Sequence, residues 1–277
     1  MLVAHFMRAD TPPALRTAEE WDVLLRTPLP SVRADAIHDL SELNSVPAIP
    51  CYLLVARLTD AAAVRVEAVA LLANVSAHGR CVGQLVGVLE HATDAHSRFA
   101  AAQVLGASGA VAAQLAVPTL VRGLTDPALQ DAAVVALGRM SDTSKSVQLA
   151  LKHVGETAHG ETLGDALAAL VALRATGEFT RPIVRRALVD SLGTVRAAAL
   201  VDLELIAATA PQRAAAMRTA VDMVRDSDAA VREAAVRLTG RIDPSDPAAA
   251  AALHDALADS SSRVRDAARI ALRLRSP

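Results

Sequence analysis

Apolar and polar positions along this chain recur with two periods at once. At short range, Val32, Ala36, Ile37 and Leu40 return at i, i+4, i+5 and i+8, the stripe of an amphipathic helix. At longer range, a phrase returns about every 33 residues: an apolar residue (once a serine), an arginine, two variable positions, then alanine. It stands at Val32-Arg33, Val64-Arg65, Ser97-Arg98, Val195-Arg196, Val231-Arg232 and Val264-Arg265, with degenerate copies at Leu129-Gln130 and Leu163-Gly164. The steps between successive arginines or their substitutes are 32, 33, 32, 34, 32, 36 and 33 residues. A period of this length marks stacked helical hairpins, each burying its apolar face against its neighbours.

Helix boundaries follow the same grammar. Thr17-Ala18-Glu19-Glu20 has the capping-box pattern, in which hydroxyl and carboxylate satisfy orphan amides reciprocally. The helix it opens runs through Trp21, Leu24 and Leu25 and stops before Pro28 and Pro30. Downstream, the spacing pairs helices over Pro47–Leu58 and Ala63–Val75, Val82–Leu89 and Ser97–Leu105, and Val111–Leu124 and Leu129–Met140. It then pairs Ser146–Val154 with Leu163–Leu173, Arg181–Leu188 with Val195–Ile206, Arg213–Val224 with Val231–Ile242, and Ala248–Leu257 with Val264–Leu274. Asp60, Asp94, Asp126, Asp190, Asp226 or Asp228, and Asp259 precede second helices, where aspartate can cap the helix for roughly 0.5–2 kcal/mol. The pattern predicts an all-α, right-handed α-solenoid of about eight antiparallel helical hairpins. An N-terminal arm over 1–16 would precede a single array over 17–277.

The phrase D-x-x-V-R-x-x-A-x-x-A-L resembles the HEAT repeat family, in the short bacterial form related to phycobilin-lyase repeats. Arg232, Glu233, Ala234, Ala235, Val236 and Leu238, closed by Gly240, carry the resemblance, as do Arg265, Ala268, Ala271 and Leu272. It covers about residues 17–275 and implies fold rather than activity, since such repeats serve scaffolds, lyases and adaptors alike. It also implies an Asp–Arg ladder between successive hairpins, built on the six arginines named above. Gln130 and Gly164 should interrupt that ladder in the fourth and fifth repeats. An exposed rung contributes about 0–1 kcal/mol, so the array should survive both losses.

Composition narrows the chemistry. Hydrophobic residues make up 52% but aromatics only 2%, so Ala, Val and Leu supply the apolar mass and let helices approach closely. The net charge of −2 argues against bulk attraction to phosphate backbones. Cys51 and Cys81 are too few for a disulfide framework or thiolate metal site and read as buried free thiols in first helices of neighbouring hairpins. No apolar run has the length of a signal sequence or membrane span, so a cytoplasmic protein with no membrane partner is expected.

Candidate chemistry is sparse. His153, Glu156, His159 and Glu161 gather two imidazoles and two carboxylates, a donor set suited to zinc or iron. Gly155 and Gly160 should break any helix aligning them, which reads as a solvated turn. His91, Asp94 and His96 form a similar group two hairpins away. No nucleophile elbow appears, and Gly106-Ala107-Ser108-Gly109 reads as a helix end rather than a phosphate loop. Nucleic acid is the main rival partner: residues 1–180 carry 13 basic and 18 acidic residues, whereas 181–277 carry 15 and 12. Arg181, Arg185 and Arg186 crowd one helix there, and Arg263, Arg265, Arg269, Arg273 and Arg275 the last. Without lysine clusters or stacking aromatics that surface is poor for strand binding.

The remaining candidate is the concave side lined by second helices. Positions one and five after each arginine should face it, giving Val66, Phe99, Gln103, Asp131, Val135, Asp165, Val201, Glu233 and Arg237 as partner-binding residues. Val66, Phe99, Val135 and Val201 would form an apolar strip bordered by Asp131, Asp165 and Glu233, the look of a protein-binding groove. With the register off by one, the same residues would pack inside the stack. Trp21 reads as a core cap at the open end. The expected function is a non-catalytic scaffold or adaptor holding an extended segment or helix, with no cofactor, metal or catalytic residue. A nucleic-acid binder using the C-terminal arginines and a lyase-like enzyme subunit are the alternatives.

Overall fold

The structure is a computed structural model that describes residues 12–43, 49–244 and 246–272. Among the described residues are sixteen α-helices and no strand, paired as eight hairpins. The first four pairs are α1 (Ala18–Arg26) with α2 (Pro30–Ser41), α3 (Cys51–Val55) with α4 (Ala62–Ala77), α5 (Val82–His91) with α6 (Ala95–Ala107), and α7 (Ala110–Gly123) with α8 (Gln130–Arg139). The rest are α9 (Lys145–Thr157) with α10 (Glu161–Ala172), α11 (Gly177–Ala187) with α12 (Gly193–Ile206), α13 (Ala210–Met223) with α14 (Ala229–Ile242), and α15 (Pro247–Ala256) with α16 (Ser262–Ala271). The capping box at Thr17 and Glu20 forms as the sequence predicts, and a second joins Thr209 to Gln212. The start of the helix expected from Pro47 lies outside the described residues, as does the end expected at Leu274.

The chain divides into two compact units, Met1–Val147 and Gln148–Pro277, with the boundary inside α9. In the first unit, the second helices α2, α4, α6 and α8 stack in order, and first helices α3, α5 and α7 lie against one another as a second layer. In the second unit, α10, α12, α14 and α16 stack in the same way. Each unit buries its own core: Trp21, Leu25, Ile37, Leu54 and Leu72 in the first, and Leu200, Val231, Val236, Leu253 and Val264 in the second. Trp21 is fully buried, with the Arg16 guanidinium 4.9 Å from its ring centroid, so it fills core rather than a binding surface.

Small residues set the helix spacing. Gly106-Ala107-Ser108-Gly109 ends α6 as expected, the helix stopping at Ala107. A Cβ on Gly106, in that last turn, would come 2.7 Å from Ala136 Cα, so only glycine admits the α8 backbone this close. One glycine corrects the sequence reading. Gly155 does not break its helix. It sits within α9, where a Cβ would meet Ile183 at 2.8 Å.

The cysteines require a larger correction. They are not free thiols: Cys51 and Cys81 form a disulfide with Cα atoms 5.2 Å apart, tying the second hairpin to the third. Closing a 30-residue separation constrains the unfolded chain by roughly 3–4 kcal/mol in the chain-entropy account. Disulfides persist mainly in oxidising compartments, which sets this pair against the expected cytoplasmic location.

The ladder is real but shorter and stronger than expected. Arg33 pairs with Asp60, Arg98 with Asp126 at 2.6 Å, Arg196 with Asp226 at 2.7 Å and Arg232 with Asp259 at 2.8 Å. The Arg196 and Arg232 forks are bidentate, and these pairs keep only about one-seventh of their side-chain surface exposed. A charge-assisted bond so shielded contributes about 1.5–3 kcal/mol, more than an exposed rung. Asp94 and Asp228 cap α6 and α14 as expected, whereas Asp126, Asp190, Asp226 and Asp259 shape the turn, each accepting from the amide two residues on. Hydrogen bonding by Arg196 and by Arg232 holds the Asp226 and Asp259 carboxyls below their ordinary range.

Four of the six arginines make a rung, not all six. Arg65 reaches only the Asp60 carbonyl, because Asp94, the carboxylate expected opposite it, is captured locally. Asp94 accepts from the amides of His96 and Ser97 and from the Ser97 hydroxyl, which draw its pKa down to about 2. Arg265, in the last described hairpin, turns to the Asp259 and Ser260 carbonyls. Gln130 makes no rung but keeps the other half of the arginine's work, donating to Leu124 O at 2.8 Å.

Candidate functional site

The repeat register decides which side of each second helix is uncovered. Among the residues one and five places after the ladder position, only Ala169 is buried. Accordingly Val66 is 68% exposed and Phe99 40%, on the adjacent helices α4 and α6. Gln103 and Asp131 are exposed, and Val135 is half-buried on α8. In the second unit Val201 and Arg237 are exposed, while Asp165 and Glu233 are half-buried. None of the nine is buried, so none packs inside the stack.

The acidic border is not free charge. Glu233 pairs with Arg237 at 2.6 Å one helical turn away, and Asp131 and Asp165 each make polar interactions of their own. In the first unit the face therefore offers Val66 and Phe99 near acidic groups that already have interactions, with His38 and Glu67 3.5 Å apart at its edge.

The histidine groups come apart in the structure. His153 and Glu156 are carried on α9, where Glu156 pairs with Lys152 at 3.3 Å; His159 lies in the following turn, and Glu161 opens α10. His96 lies 3.4 Å from Asp94 and His91 3.8 Å from Glu90, as separate surface pairs. Among the described residues no three His, Cys, Asp or Glu side chains gather as a metal site.

The arginines proposed for nucleic acid are also divided. Arg186 donates to the carbonyls of Gly155 and Ala158, joining α11 to the end of α9, and Arg269 pairs with Asp266 at 2.7 Å. Arg273 and Arg275 lie outside the described residues. No described helix is long and apolar enough to cross a membrane.

No protein-family model matches the sequence, and no curated protein matches it. Solved structures do. An archaeal HEAT-like repeats protein from Thermococcus onnurineus NA1 is similar at TM-score 0.55 and 15% identity, over 82% of this chain and 97% of that one. The fold is that of the HEAT-like repeats. Kap121p is similar at TM-score 0.65 and 14% identity, over 92% of this chain, and Kap95 in its complex with Nup1 at 0.58 and 15%, over 98%. This chain spans about a third of Kap121p and 42% of Kap95.

Within this HEAT-like frame one residue stands against its register. Seven places after the apolar anchor, second helices bury Leu71, Val104, Ala136, Leu170 and Leu238. In α2 the position is Asp39, paired with Arg16 at 2.9 Å. In α12 it is Asp202, 9% exposed and without an ion-pair or hydrogen-bond partner among the described residues. Burial alone pushes its carboxyl up to about 6. The sequence carried the signal, since aligning the repeats puts Asp202 where most repeats carry Leu, Val or Ala.

Proposed function

We propose that this chain is a non-catalytic scaffold that binds a protein segment along the uncovered face of its second helices, the concave side of a solenoid. The observation that carries the reading is Phe99, an aromatic 40% exposed beside Val66 at 68%, at a register where neither supports the stack. Large apolar side chains held open on a stiff, preformed layer favour association, because little ordering entropy opposes it. His38 and Glu67, 3.5 Å apart in the same unit, help orient a partner without demanding a strongly charged one. Kap121p solved with Nup53p and Kap95 with Nup1 are structures of this fold that hold a protein, which supports the same use here.

Affinity capture from extracts of the source cells tests the reading when wild type is compared with the double variant Val66→Glu/Phe99→Glu. A specific set of proteins retained by wild type and lost by a normally folded variant is expected. Identical retention by both would remove this face from the function.

A further inference from the structure

The first-helix layer closes in the first unit but opens in the second. Here α11 and α13 part to leave a cleft of about 880 Å³, within the range of roughly 300–1,000 Å³ that holds small ligands. It coincides with the longest step of the repeat, the 36 residues from Arg196 to Arg232. Its walls are apolar: Val171, Val184, Leu188, Leu203 and Ile206 line it.

Its charge is one-sided. Arg174, Arg181 and Arg185 line the same cleft, no lining residue is acidic, and none of the three guanidinium groups has an ion-pair or hydrogen-bond partner among the described residues. Arg181 and Arg185 are one turn apart on α11, so they repel. Most other described arginines are tied to a carboxylate or carbonyl, Arg139, Arg218 and Arg263 being the exceptions, and those three do not line the cleft. The amino end of α11 adds to the same field, offset in part by Glu178 in its first turn: Thr176 gives no side-chain cap, and Gly177, first residue of the helix, lines the cleft. Uncapped amides and the positive helix end favour an anion there.

We propose that this cleft binds a small amphiphilic carboxylate, its apolar body against Val184, Leu188, Leu203 and Ile206 and its head on Arg181 and Arg185. An apolar chamber alone would take neutral compounds equally well. The unpaired arginines select the anion, and guanidinium meets carboxylate with two parallel hydrogen bonds. This site lies in the first-helix layer and is independent of the protein-binding face proposed above.

The test is titration of the full chain with decanoate, decanol and decyltrimethylammonium, each below its micelle concentration. Calorimetry would give affinity, and backbone NMR would locate shifts. Decanoate should bind at one site, with shifts confined to residues 171–219, decanol far more weakly, and the cation not at all. Arg181→Ala/Arg185→Ala should weaken decanoate about tenfold or more, the cost of losing charge-assisted bonds. Ala215→Trp, an exposed wall position, should fill the cleft and abolish binding while leaving the melting temperature unchanged. Equal binding of all three probes, no binding of decanoate, or decanoate binding untouched by both variants would each overturn the proposal.

Discussion

Two uncovered surfaces differ in how they arise. The face bearing Val66 and Phe99 lies on adjacent second helices at one repeating register, and Glu67 beside it already has a partner in His38. The cleft between α11 and α13 lies where the repeat is stretched, and its three arginines are unpaired. The second-helix layer is the constant of this fold, because close packing such as Gly106 against Ala136 leaves it no freedom to vary. Variation falls to the first helices, which can separate without breaking the ladder: the Arg196–Asp226 rung spans the very step that opens the cleft. A flat face suits a protein segment and a walled cleft suits a small molecule.

The largest effect should come from the lock behind the face. Cys51→Ser/Cys81→Ser removes the tie between the second and third hairpins and should cost the first unit roughly 3–4 kcal/mol, read by urea denaturation. Unchanged stability would show that packing alone holds those hairpins.

A smaller effect, of opposite sign, is expected on the helix that forms part of the cleft wall. Asp202→Leu restores the residue type that other repeats bury and should stabilise the second unit by about 1–3 kcal/mol near pH 7, allowing for water at the edge of the site. The sign follows from linkage: the folded carboxyl titrates near 6, above its ordinary value of 3.8, so the folded state holds more protons between those pH values. Wild-type stability from this group therefore falls as pH rises from about 4 to 6, and the gain from the variant should shrink toward zero near pH 4. A gain independent of pH would mean that shape rather than charge is at fault.

The smallest effect belongs to Phe99 itself. With 40% of its surface open, Phe99→Ala should lower the melting temperature by no more than a few degrees, about 1 kcal/mol, measured by calorimetry. A markedly larger drop would make Phe99 core and deny the face its aromatic.

This contrast also explains what the sequence disclosed. Hairpin count, helix pairing and the exposed positions were legible because each repeats, and repetition averages out local exceptions. Features requiring a specific distance between non-equivalent residues were not. Cys51 and Cys81 stand 30 residues apart, close to one period, which places them side by side in adjacent hairpins, yet nothing in their number announces a bond. Gly155 reads as a helix breaker until Ile183 is seen packed against it. Arg65 loses its rung to Ser97, a hydroxyl in a column of valines. The cleft is a gap between two helices, and the sequence marks it only as the longest step of the repeat, with nothing in that step to say which helices part.

The most direct measurement takes two variants through two assays. Val66→Glu/Phe99→Glu should lose the captured proteins and keep decanoate; Arg181→Ala/Arg185→Ala should lose decanoate and keep the proteins. If either variant loses both ligands, or each loses the other's, the division between a constant layer that binds protein and a variable layer that binds small anions is wrong.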